Sequence, residues 1–206
     1  MPARRLTRSW AGRPAVFLDR DGTLVEEVPY LHEPDRVVLV AGAGAALAAL
    51  AAAGFALVLV TNQAGVARGY YDEAAVAAVH RRLAALLARD GVRLDGVFWC
   101  PHHPQGTVAR YAVFCRCRKP APGMLETAAA RLGLDLPGSY LIGNHGSDLA
   151  AAAAAGVTGL LVRSGRGAGE TPPAGVRAFA SLPDAAQAVL DAARAGHGKG
   201  PDPPRP

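Results

Sequence analysis

Aromatic residues make up only 6% of the 206-residue chain, which holds two methionines, two tryptophans and three cysteines. A small, odd number of thiols argues against a disulfide framework and suits a reducing compartment, so a cytoplasmic location is expected. Charge is sparse at 19%, and no block of like charges occurs, which confines expected disorder to the chain ends. No uninterrupted apolar stretch has the length and bulk of a membrane span, because the alanine-rich segments are too weakly apolar. Four arginines fall within residues 1–13, but the apolar run after them stops at Asp19, too soon for a signal-peptide core.

What remains is half hydrophobic, with a formal charge of +5. A basic balance suits an anionic partner: nucleic acid, a membrane surface or a phosphorylated metabolite. The arginines and lysines are scattered, without a basic run or interleaved aromatics, so neither nucleic acid nor membrane is expected.

Short apolar runs alternate with helical patterns. Residues 15–18, 55–60, 97–99, 140–142 and 159–162 read as strands buried on both faces, as in a parallel sheet. Helices are expected over 43–53, 72–90, 122–132, from Ser147 or Asp148 to 155, and over 183–195, several stopped by glycine. Val76, Val79, Leu83, Leu86 and Leu87 form one stripe of the second helix, which Asp72 can cap. This βαβ alternation predicts an α/β three-layer sandwich with a doubly wound, mostly parallel sheet and its ligand beyond the strands' carboxyl ends. Residues 164–175 read as a loop. The expected organisation is an extension over 1–13, one domain over 14–195 and a disordered tail over 196–206.

Chemistry concentrates at the ends of the apolar runs. Phe17-Leu18-Asp19-Arg20-Asp21-Gly22-Thr23-Leu24 places two carboxylates directly after a buried strand, where a glycine turn lets both face one cavity. Asp19 is a candidate nucleophile toward phosphorus, and Asp21 a candidate acid and base for the leaving oxygen and the attacking water. Cys100-x-His102 and Cys115-x-Cys117 offer three thiolates and one imidazole, a set suited to a closed, tetrahedral structural zinc site. His103 is an alternative to His102. Such a site would fold the 100–117 loop and fix the adjacent Arg118 and Lys119.

The first string resembles the leading motif of the haloacid dehalogenase-like phosphatases. Further matches are Thr61-Asn62-Gln63-Ala64-Gly65, Arg118-Lys119-Pro120 and Cys100-Pro101-His102-His103-Pro104-Gln105-Gly106. Over residues 15–162 the chain resembles the heptose 1,7-bisphosphate 7-phosphatase family, with the zinc-binding histidinol-phosphate phosphatases as nearest relatives. The resemblance implies a fold without a large cap domain and a monomeric Mg²⁺-dependent phosphatase of a phosphorylated sugar. It implies catalytic Asp19, Asp21, Thr61 and Lys119. It also implies substrate contacts from Glu27, Val28, Pro29, Tyr30, Thr61, Asn62, Gln63, Ala64, Arg118 and Lys119.

The fourth motif departs from that family. Its members resemble Gly-Asp-Lys-x-x-Asp, where this chain reads Gly143-Asn144-His145-Gly146-Ser147-Asp148. Magnesium is then expected on Asp19, the Asp21 backbone carbonyl and an uncharged Asn144, bound more weakly, with Asp148 as a further contributor. His145 is left between a second phosphate, a sugar hydroxyl and the cavity rim. A slow or inactive phosphatase is the rival reading.

Overall fold

The computed structural model describes residues 11–197. The expected tail therefore lies almost wholly outside the described residues, as does most of the expected N-terminal extension. The strands are β1 (Arg13–Leu18), β2 (Ala56–Asn62), β3 (Gly96–Cys100), β4 (Leu134–Gly143), β5 (Thr158–Val162) and β6 (Arg177–Phe179). The helices are α1 (Ala43–Ala52), α2 (Glu73–Arg89), α3 (Gly123–Leu132), α4 (Gly146–Ala154) and α5 (Leu182–His197).

All strand pairs are parallel, in the order β3-β2-β1-β4-β5-β6. Because the sheet is covered on both faces, alternate residues of one strand enter different cores. Val16 and Leu18 of β1 pack with Leu57 and Leu59 of β2 beneath α1, α2 and α5. Ala15 and Phe17 pack with Ala56, Val58 and Val60 beneath α3 and α4. Burying a side chain such as Phe17 contributes about 2–3 kcal/mol. The doubly wound three-layer sandwich expected from the sequence is the observed fold, and no cap domain interrupts it among the described residues.

Local chemistry sets most boundaries. The Asp72 carboxylate accepts from the Ala75 N–H at 2.8 Å and caps α2. The predicted stripe on α2 faces the core through Val76, Val79, Leu83 and Leu87, with Leu86 half-buried. α4 starts at Gly146, one residue before the expected Ser147, because His145 is its cap: the ring accepts from Ser147 N, while Asp148 accepts from His145 N. α5 runs to His197, so its last two residues belong to the helix rather than to the expected tail.

The chain winds outward from β1 through β2 to β3, then returns to the other side of β1 as β4. That reversal opens a crevice beyond the carboxyl ends of β1, β2 and β4. Gly143 ends β4 there, and a Cβ on it would fall 2.3 Å from an Asp148 carboxylate oxygen, so its lack of a side chain lets Asp148 fold in.

Candidate active site

Asp19 stands just beyond β1, anchored by its N–H donating to the Ile142 carbonyl at 3.0 Å. Lys119 reaches it from the loop before α3. The ammonium donates to Asp19 Oδ1 at 2.8 Å, to Asp148 Oδ1 at 2.6 Å and to the Val60 carbonyl at 2.9 Å. Burial alone would lower the Lys119 pKa, but Asp148 and Asp19 outweigh it and hold the ammonium above its ordinary value. Asn62 fixes the lysine's backbone by donating to its carbonyl at 2.9 Å and accepting from its N–H at 3.0 Å.

Asp21 is held from two sides. Arg20, only 1% exposed, donates through Nε to Asp21 Oδ1 at 3.0 Å, and Gln63 Nε2 donates to Asp21 Oδ2 at 3.1 Å. Burial raises the Asp21 pKa, and Asp19 adds to this against the lowering effect of Arg20 and Gln63. A carboxyl that keeps its proton more readily than usual suits a proton donor beside an anion paired with Lys119. Arg20 also donates to the Leu31 carbonyl and to Gln63 Oε1, and lies 3.5 Å from His80.

Gln63 has nothing left for a ligand. Its NH₂ donates to Asp21 and to Thr61 Oγ1, and its carbonyl oxygen accepts from Arg20 and from the Tyr71 hydroxyl. All of its side-chain hydrogen-bonding capacity is spent inside the protein. The Thr61 hydroxyl donates to no group among the described residues.

These residues line one cleft of about 360 Å³, together with Glu27, Val28, Tyr30, Asn62, Ala64, Arg118, Asn144 and His145. Pro29 is exposed and outside the lining; the chain reverses at Tyr30, which adopts a left-handed φ of 51°. His145 sits at the rim with its ring committed to Ser147 and, at 3.5 Å, to Glu170. Both Asp148 oxygens have a protein partner, one Lys119 and one the His145 N–H.

The residues expected to hold magnesium fit such an ion. The Asp19 carboxylate accepts only from Lys119, and the Asp21 backbone carbonyl takes no hydrogen bond, among the described residues. The Asn144 NH₂ faces Glu27 Oε2 at 3.2 Å and the Ser164 carbonyl at 3.4 Å, which leaves the amide oxygen as the ligand end. Hard oxygens of this kind suit a divalent cation, with one carboxylate fewer than an aspartate at 144 would bring.

The sequence reading placed neither Arg68 nor His103 in the cleft, offering His103 only as an alternative metal ligand to His102. Arg68 follows three residues after the Thr61–Gly65 string, and its spacing from Thr61 was the available signal. Both side chains line the cleft beside Arg118. Burial lowers the His103 pKa, and Arg118 and Arg68 lower it further. Arg68 and Arg118 pair with no carboxylate among the described residues, and Arg68 Nε is buried without a hydrogen-bond partner. This wall is an uncompensated cationic surface.

Behind it, Cys100 at the end of β3 meets His102, Cys115 and Cys117. One ligand atom from each lies within 4.8 Å of all the others, so the four can hold a metal ion. The sulfurs are 3.2–3.6 Å apart, with His102 Nδ1 3.4 Å from Cys117 Sγ. His103 is not part of the set. Arg118 donates to the His102 carbonyl at 3.2 Å, tying the cationic wall to the cluster.

A strand-tip carboxylate gripped by a buried lysine, at the reversal of a doubly wound parallel sheet, is the hallmark of the haloacid dehalogenase-like hydrolases. A family model described as HAD-hydrolase-like matches residues 116–191. The chain is 46% identical over 154 residues to the D-glycero-β-D-manno-heptose-1,7-bisphosphate 7-phosphatase of Yersinia pestis, covering 74% of this chain and 82% of that one. It is 41% identical to the enzyme of the same name from Vibrio cholerae, covering 75% and 83%. The crystal structure of D,D-heptose 1,7-bisphosphate phosphatase from B. bronchiseptica, complexed with magnesium and phosphate, superposes with a TM-score of 0.77 at 36% identity, covering 87% and 99%. The chain belongs to the D-glycero-β-D-manno-heptose-1,7-bisphosphate 7-phosphatase family and is a phosphoric monoester hydrolase.

Proposed function

We propose that the chain hydrolyses the 7-phosphate of D-glycero-D-manno-heptose 1,7-bisphosphate through a phosphoryl group carried on Asp19. The observation that carries this reading is the 2.8 Å contact of Lys119 with Asp19 Oδ1, which leaves Oδ2 free to attack. Asp19 Oδ2 forms a bond to phosphorus as the sugar oxygen departs with the proton of Asp21. Asp21, now a carboxylate, takes a proton from water as that water attacks phosphorus and the Asp19 Oδ2–phosphorus bond breaks, releasing phosphate and restoring the Asp19 carboxylate and the Asp21 acid. Lys119 and the Thr61 hydroxyl stabilise the transferring oxygens. Magnesium on Asp19, the Asp21 carbonyl and Asn144 would neutralise phosphate charge.

The second phosphate of the substrate meets Arg118 and Arg68, with the His103 ring beside them, because these two guanidinium groups pair with no carboxylate among the described residues. Zinc on Cys100, His102, Cys115 and Cys117 would fix the 100–117 loop and hence Arg118. We read residues 14–195 as one phosphatase domain acting as a cytoplasmic monomer. The small, odd number of cysteines supports the compartment, and the family resemblance supports the monomer.

The test is phosphate release from sugar bisphosphates and histidinol phosphate, with and without Mg²⁺. The expected result is highest kcat/KM on the heptose bisphosphate, dependent on Mg²⁺. Preference for histidinol phosphate would overturn the substrate assignment. Asn144 favours a second reading, an impaired phosphatase, which predicts bound phosphate without turnover.

A further inference from the structure

Glu27 was expected to touch the sugar, yet both of its oxygens are engaged by protein. Oε1 pairs with Arg166 Nε at 3.0 Å, and Oε2 accepts from Asn144 Nδ2 at 3.2 Å. The Ser164 carbonyl flanks the same end of the Asn144 amide at 3.4 Å. Two acceptors around one end of an amide decide its orientation. The reverse setting would place the amide oxygen against a carboxylate and a carbonyl, with no hydrogen between them.

Four segments build this seat. Asn144, 2% exposed, follows β4, and Glu27 comes from the loop after the first motif. Gly22 has a φ of +74°, and a Cβ there would lie 2.1 Å from Asn144 Nδ2 and 2.3 Å from Glu27 Oε2. Gly165 has a φ of +53°, and a Cβ there would lie 2.5 Å from the same Glu27 oxygen. Ser164 Oγ donates to the Gly22 carbonyl at 2.6 Å, locking the loop after β5 onto the first motif. Neither glycine tolerates a side chain while the Glu27–Asn144 pair is in place.

We propose that Glu27 is a positioning residue for the divalent-cation site. It holds the Asn144 amide with its oxygen as the ligand and places a carboxylate one amide away from the cation, partly replacing the charge missing at position 144. This rests on the phosphatase reading only for the presence of a cation. It implies a coupling that changes sign. With asparagine at 144, Glu27 is a hydrogen-bond partner; with aspartate there, it is a like charge at close range.

The experiment measures Mn²⁺ binding to the metal-stripped full-length protein by electron paramagnetic resonance of free Mn²⁺, without substrate. Wild type, Glu27→Gln, Asn144→Asp and the double variant are compared, with metal-free Tm as a folding control. Glu27→Gln should weaken Mn²⁺ binding about tenfold beside Asn144. Beside an aspartate at 144, the same change should leave binding unchanged or tighten it. Equal effects in both backgrounds, or wild-type affinity in Glu27→Gln, would overturn the inference. If Glu27→Gln unfolds, Arg166→Gln, which frees Glu27 without removing it, must keep Mn²⁺ affinity within about threefold; a larger loss overturns the inference. A wild type that binds no Mn²⁺ also overturns it, whereas a failed substrate assignment would appear only in the phosphate-release assay.

Discussion

Asp19 and Lys119, 100 residues apart in sequence, meet in a part-buried 2.8 Å ion pair at the reversal of the sheet. The lysine is shared with Asp148, so one ammonium balances two carboxylates in a nearly dry site. Removing one partner of a buried ion pair leaves charge unpaired, at about 3–5 kcal/mol. Lys119→Met should therefore lower stability by about that amount and abolish phosphate release. Urea unfolding and a phosphate assay check the two effects, and Lys119→Arg should recover more stability than activity.

Gln63 separates positioning from contact. Its four hydrogen bonds are all internal, so Gln63→Leu should cut kcat by about tenfold or more, through misplacement of Asp21, while KM changes little. The pH profile of kcat should shift because one hydrogen bond to the Asp21 carboxylate is lost. A rise in KM with kcat intact would restore Gln63 as a substrate contact.

The thiol–imidazole cluster holds the loop that carries Arg118. Chelation or Cys115→Ser should release bound metal and raise KM for a bisphosphate substrate more than for a monophosphate. Elemental analysis and steady-state kinetics on both substrates check this. Equal effects on the two would mean that the cluster supports the fold alone.

His80 makes stability depend on pH. Burial, with Arg20 adjacent, lowers its pKa to about 3 from the ordinary 6.5. The unfolded chain binds a proton at His80 below pH 6.5, whereas the folded protein does not until about pH 3. The neutral ring thus costs nothing above 6.5, and stability falls as pH drops through this window, by at most about 1.4 kcal/mol per unit. His80→Gln should flatten that part of the denaturation midpoint against pH. An unchanged slope would assign the loss to other groups.

The strands flanking the crevice were legible in the sequence because parallel strands buried on both faces are continuous apolar runs that end where the chemistry begins. β6 was not, since Arg177–Phe179 is three residues with an exposed first member and no periodicity to detect. The first half of β4 was hidden by Pro137 and Gly138, which read as a turn; it pairs with β1 at Arg13 and Pro14 before the register shifts. In the site, Asp19, Asp21, Lys119 and the metal cluster were visible because their types and spacing are chemically specific. Arg20 was not, because a buried arginine between two aspartates looks like a solvated spacer. Asn62, Gln63 and Glu27 were expected, through the family resemblance, as substrate contacts. Only coordinates show that their hydrogen bonds turn inward to Lys119, Asp21 and Asn144.

The central claim is that phosphate passes through Asp19, and acid quenching during turnover followed by peptide mass analysis tests it most directly. The wild-type protein should carry a phosphoryl group on the peptide containing Asp19, and Asp19→Asn should show neither that adduct nor phosphate release. Turnover at the native rate in Asp19→Asn would contradict the account.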